Sequence, residues 1–166
     1  MSCSSSVFLK RLMVIAITVL LAGCSALSPF SQMTKVNLTL TGSDRLNPDL
    51  NGRPSPIVVR LYELSHPVVF ENADFFSVYE RAKESLAPDL VASEELELRP
   101  GETVELMLSV EKGSRYVAIL AAYRDLAHTQ WRYTAPVTPK AVTDVALILD
   151  EMGIRNSAQT TIKADD

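Results

Sequence analysis

Cys24 is the residue best placed for covalent chemistry. It closes the stretch Leu20-Leu21-Ala22-Gly23-Cys24, which follows Lys10-Arg11 and an apolar run from Leu12 to Ala22. That run is shorter than the ~20 apolar residues a spanning helix needs. A basic start, a short apolar middle and small residues before a break are the layout of a secretory signal. A peptidase binds such a chain extended, with shallow pockets just before the cut, and Ala22 and Gly23 fit them. The thiol of Cys24 is nucleophilic enough to take a lipid. The competing readings are a plain signal peptide with an incidental cysteine, or an uncleaved anchor.

Other chemistry is thin. His66 and His128 lie far apart, outside any spacing that would bring two metal ligands together. The only cysteines are Cys3 and Cys24. With one in the signal and one carrying lipid, neither a four-ligand zinc site nor a disulfide can form in the mature chain. Glu94, Glu95 and Glu97 form a small acidic group, in which Glu95 and Glu97 share one face of a strand, best read as a solvated face and not as a catalytic carboxylate pair. There is no G-x-S-x-G elbow and no phosphate-cradling glycine loop. Scattered Ser, His and Asp residues remain open as a triad on sequence grounds. No enzymatic activity, cofactor or metal is expected.

Removing the first 23 residues leaves 143, about one domain, able to bury about 68% of its unfolded surface. The cut takes Lys10 and Arg11, so 14 Lys and Arg face 20 Asp and Glu, a net charge of −6. That balance argues against nucleic acid, which needs a basic face.

The elements that must carry any site read mostly as strands. Lys35 to Thr41 alternates, with Val36, Leu38 and Leu40 on one side. Ile57 to Leu64 and Tyr116 to Tyr123 are apolar on both faces, as central strands are. Ser93 to Arg99 and Glu102 to Val110 alternate about the turn Pro100-Gly101. Thr129 to Ala135 and Val142 to Leu149 complete the set, and Met152 and Ile154 can add a last pairing. One short helix is expected after Asn72 or Asp74, either of which can cap it, with Phe75, Phe76, Val78, Tyr79 and Ala82 as its apolar stripe. About seven short strands with one helix predict an all-β, two-sheet sandwich. The implied layout is a signal peptide at 1–23, a lipidated tether at 24–34, the sandwich at 35–154 and a polar tail at 155–166.

Gly42 to Pro56 stands out. It holds two Gly, three Pro and two Asn, and it is far longer than a hairpin needs. Leu46 and Leu50 sit in it with no evident core to join. It is either a surface loop or a binding loop with Leu46, Asn47, Pro48 and Leu50 near its tip.

Two resemblances sharpen these readings. Leu-Ala-Gly-Cys at 21–24 resembles the lipobox of bacterial lipoproteins, which implies cleavage before Cys24 and acylation there. Ser25, in place of an aspartate, implies sorting to the outer membrane. Beyond the lipobox, the order V-N-L-T-L-T-G, L-N-P-D-L-N-G-R-P-S-P, I-V-V-R-L-Y-E-L, F-E-N-A-D-F-F, L-R-P-G-E, A-A-Y-R-D and W-R resembles the TssJ (SciN) lipoproteins of type VI secretion systems, over nearly all of the mature chain. That resemblance implies a transthyretin-like sandwich with a helical addition, anchored in the outer membrane and facing the periplasm. It implies docking to the periplasmic C-terminal region of TssM, with TssL in the same complex, through the loop after the first strand. Leu46, Asn47, Pro48, Asp49, Leu50 and Arg53 are then the expected contacts. A periplasmic carrier of a small or lipidic ligand, or an accessory of another envelope complex, is the alternative.

Overall fold

The computed structural model describes residues 33–158. The expected signal peptide, Cys24, Ser25 and most of the expected tether lie outside the described residues, as does the end of the C-terminal tail. The chain runs β1 (Lys35–Gly42), β2 (Ile57–Leu64), α1 (Val68–Asn72), α2 (Phe75–Ser85), β3 (Leu90–Leu98), β4 (Thr103–Ser109), β5 (Tyr116–Ala121), β6 (Arg132–Pro136), β7 (Val142–Leu149) and β8 (Ile154–Asn156). One sheet has the order β4-β1-β7-β8, the other β3-β2-β5-β6. β1 and β7 pair in parallel, and the remaining ladders are antiparallel. This is the expected two-sheet sandwich.

The burial pattern explains which strands alternate. In the first sheet the inner rows are wholly built into the core, with Val36, Leu38 and Leu40 beside Val145, Leu147 and Leu149, while the outer rows mix Lys35, Asn37 and Asp144 with Met107, Val142 and Ile148. The second sheet is covered on both sides. Val59, Leu61, Val117 and Ile119 join the core between the sheets, while Tyr62, Leu64, Ala118 and Leu120 pack under the helices with Phe70, Val78 and Leu86. Hence β2 and β5 read as apolar on both faces. Ala118 pairs directly with Tyr62, and the small side chain leaves room for the ring.

Two arginines fasten the helical layer. Arg60 donates from Nε to Glu95 at 2.6 Å and from Nη1 to the Tyr79 carbonyl, with its guanidinium 4.0 Å from the Tyr79 ring centre. Arg132 donates to the carbonyls of Phe70, Glu71 and Ala73 at 2.7–2.9 Å, serving the orphan carbonyls at the end of α1. Asp74 caps α2 by accepting from the Ser77 backbone N–H at 3.0 Å.

Four features differ from the sequence reading. α1 precedes the single helix read from sequence. Phe76, placed on the apolar stripe, is 59% exposed. β6 begins at Arg132, not Thr129, because Gln130 is drawn into a parallel bridge with Gly153 and the Thr129 hydroxyl donates to the Asp125 carbonyl. β8 also carries the sandwich past residue 154 to Asn156.

Candidate functional site

The strands order the loops into two ends. The β1–β2 loop shares one end with the β3–β4 turn, the β5–β6 loop and the β7–β8 turn. Backbone bonds link them: Gly101 N–H to Gly42 C=O at 3.0 Å, Gln130 N–H to Met152 C=O at 3.0 Å, and Ile154 N–H to Gln130 C=O at 2.8 Å. Arg45 also pairs with Glu151 at 2.7 Å.

Within the β1–β2 loop the six expected contact residues divide by role. Leu46 is a core residue with no exposed surface, packed between the sheets. It cannot meet a partner in the folded protein, which corrects its placement at the tip. Asn47 is also buried. It has a left-handed backbone (φ 45°), tolerable for asparagine. Its Nδ2 donates to the Pro56 carbonyl at 3.1 Å and its Oδ1 accepts from the Arg124 backbone at 3.0 Å, closing the loop base onto the β5–β6 loop. Asn47→Ala loses both bonds and places a Cβ residue in a region it disfavours. We expect a loss of about 2–3 kcal/mol in urea unfolding. Asn47→Gly, free of the backbone penalty, should fall between alanine and wild type.

Asp49 builds the tip. Its Oδ1 accepts from the backbones of Asn51 (2.8 Å) and Arg53 (2.9 Å), and its Oδ2 accepts from the Arg53 Nε (2.8 Å). The Arg53 backbone bond above all, helped by that of Asn51 and by the guanidinium, holds the Asp49 carboxyl below the usual carboxylate range. A carboxyl so depressed supports the fold above its unfolded pKa and loses that support as pH falls through its folded value. The tip should therefore loosen below about pH 4, visible as faster amide exchange at Asn51 and Arg53. Between Asp49 and Asn51, Leu50 is fully exposed, at 106%.

Beside Leu50 lies a groove of about 660 Å³ lined by Pro48, Tyr123, Arg124, Asp125, Thr129 and Glu151. Sequence reasoning did not place the last five at the site, since only the fold brings the β5–β6 loop and the β7–β8 turn beside the β1–β2 loop. Burial, with Asp150 nearby, pushes the Tyr123 hydroxyl far up, so it stays a neutral wall. His128 pairs with Asp125 at 2.9 Å.

At the other end Ser65, His66 and Asp89 meet. The Ser65 hydroxyl donates to the Asp89 carboxylate at 2.8 Å, and both lie against the same ring nitrogen, Nδ1 of His66. A proton relay needs nucleophile and carboxylate on opposite nitrogens, so this cluster fastens a turn. No group among the described residues has three or more side chains able to hold a metal. No helix among them is long and apolar enough to cross a membrane. An apolar knob on a stiff polar collar is suited to gripping another macromolecule.

Known proteins bear on this geometry. A family model described as type VI secretion lipoprotein (VasD, EvfM, TssJ) matches residues 34–153. The chain is similar to the type VI secretion lipoprotein TssJ1 from Pseudomonas aeruginosa, with 32% identity, 74% of this chain and 94% of that chain covered, and a TM-score of 0.72. It is similar to Serratia marcescens Lip, a membrane-bound component of the type VI secretion system, with 25% identity, 74% and 96% covered, and a TM-score of 0.69. A chain of a type VI membrane complex shares the fold, with 22% identity, 75% and 98% covered, and a TM-score of 0.66. No curated protein sequence matches. The matched segment spans β1 to β7 and every loop of the end that carries Leu50, and the chain belongs to the type VI secretion lipoprotein family, the TssJ or SciN proteins.

Proposed function

We propose that the protein is held in the outer membrane by acylated Cys24, faces the periplasm, and docks the periplasmic C-terminal region of TssM, with TssL in the same complex. The role is mechanical. Lipid grips the membrane, the sandwich carries load, and the β1–β2 loop grips the partner. The observation that carries this reading is Leu50, fully exposed on a loop whose neighbours are pinned by Leu46, Asn47 and the Asp49–Arg53 pair. An apolar side chain held out in advance costs little to order on binding. In this arrangement Leu50 is the anchor, Pro48 and Arg53 flank it, and Leu46, Asn47 and Asp49 hold the loop in shape. The inner rows form a packed core, which favours docking on the surface over carriage of a ligand between the sheets.

The test is a titration of the TssM periplasmic region against wild type and Leu50→Asp. Truncating or reversing a central anchor typically costs 2 kcal/mol or more, so binding should weaken about 30-fold or further. The melting temperature should hold, because Leu50 supports nothing in the free protein. Unchanged affinity would remove Leu50 from the interface.

A further inference from the structure

We propose that the end of the sandwich opposite Leu50, where the chain enters β1, is a face that rests on anionic phospholipid headgroups. This rests on the reading that Cys24 is acylated.

Three of the exposed large apolar side chains gather there. Met33 is 47% exposed, Met107 70% and Val142 55%. Register places them together. Lys35 pairs with Ser109 on one side and Val142 on the other, and the next outward-facing row is Met107, Asn37 and Asp144. Met33 lies two residues before Lys35 on the same chain. Side chains of this size left out on the outer face of a sheet are the kind that enter a headgroup layer.

The charges point the same way. Of the four lysines in the described residues, Lys35, Lys112 and Lys140 lie at this end, and Lys83 lies on α2. Lys112 is on the β4–β5 turn with Arg115, and Lys140 is on the β6–β7 turn, whose backbone N–H bonds the Thr34 hydroxyl at 2.9 Å. The carboxylates here are Glu63, Asp89, Glu111 and Asp144. Glu63 turns inward to accept from the Glu111 backbone and the Ser114 hydroxyl, each at 2.8 Å. Asp89 is held by Ser65 and His66, and Asp144 accepts from Asn37 at 2.8 Å. The turn tips thus present Lys112, Arg115 and Lys140, with Glu111 beside Lys112 and with Asp89, on the α2–β3 turn, already held by Ser65 and His66. A mature chain of net charge −6 is repelled by an anionic leaflet everywhere except through such an end.

The tether fixes the occupant. Eight residues separate Cys24 from Met33, a reach of about 30 Å at full extension, so this end is the one the anchor brings to the bilayer. Seated this way, the sandwich holds Leu50 about 25 Å further out, at the far tips of eight-residue strands.

The test uses the mature acylated protein carrying Met107→Cys, whose thiol is then the one open to labelling with an environment-sensitive fluorophore. It is placed in vesicles of phosphatidylcholine alone and of phosphatidylcholine with phosphatidylglycerol. The label at 107 should report an apolar surrounding only with phosphatidylglycerol, and a label at Leu50→Cys should stay in water in both. Lys112→Glu with Lys140→Glu should return the 107 label to water, since each lysine near an anionic leaflet shifts the balance roughly fivefold. A 107 label in water on phosphatidylglycerol vesicles that the protein nonetheless floats with overturns the seating alone. So does equal burial in both compositions, or burial that appears only when a partner protein is added. Failure to float with any vesicle overturns the acyl anchor and the seating together.

Discussion

Cells that make only Cys24→Ser should release the protein from the envelope membrane and lose type VI secretion. A serine hydroxyl does not replace the thiol as acyl acceptor, and each buried CH₂ contributes ~0.8 kcal/mol to anchoring. One chain gives marginal, reversible attachment, whereas the several chains of a lipobox cysteine make it effectively permanent. The change should therefore move the protein almost wholly into the soluble fraction. The core between the sheets and the layer under the helices are built from residues 36–154, so the melting temperature should not move. Fractionation after a high-pH wash, beside a secretion assay, reads both effects. Normal secretion from the unlipidated form would break the link between anchor and function.

Gly153→Ala should be the most damaging single substitution in the sandwich. Gly153 has φ 126°, open to glycine and hostile to alanine. A Cβ there would lie 2.4 Å from the Gln130 nitrogen and 2.5 Å from its carbonyl oxygen, both backbone atoms that cannot swing away. This contact ties the two sheets through Gln130 N–H to Met152 C=O and Ile154 N–H to Gln130 C=O. The turn is also held by Asp150, whose Oδ1 accepts from Met152 at 2.8 Å and whose Oδ2 pairs with Arg155. Relieving the clash means parting β8 from the β5–β6 loop. We expect a loss above about 3 kcal/mol by urea unfolding, or no folded protein at all. A stability within 1 kcal/mol of wild type, by roughly the spread of ordinary surface changes, would mean that the turn tolerates a side chain.

Much of this architecture was legible because the physics is local. Lys35–Gly42, Ile57–Leu64 and Val142–Leu149 announce themselves by rows of Val, Leu and Ile at period two. The two-faced strands β2 and β5 told of cover on both sides. What sequence could not show is set by tertiary contact. Leu46 and Leu50 are the same residue type in the same polar loop, yet one is core and the other is tip. Leu46 reaches the core beside Gly42, where a Cβ would come within 3.1 Å of its Cδ2. Asn47 looked like an ordinary turn former, and its two buried hydrogen bonds depend on Pro56 and Arg124. The groove residues Arg124, Asp125, Thr129 and Glu151 come from loops far apart in sequence. α1 was hidden by Ser65-His66-Pro67, which reads as a break, and it is held by Arg132 some sixty residues away.

The most direct measurement is site-specific photo-crosslinking in intact cells, with a photoreactive amino acid in place of Leu50. The account predicts a covalent adduct with the periplasmic region of TssM from that position, and none when the same group replaces Met107 at the opposite end. No adduct at 50, together with an adduct at 107, would mean that the partner grips the other end of the sandwich.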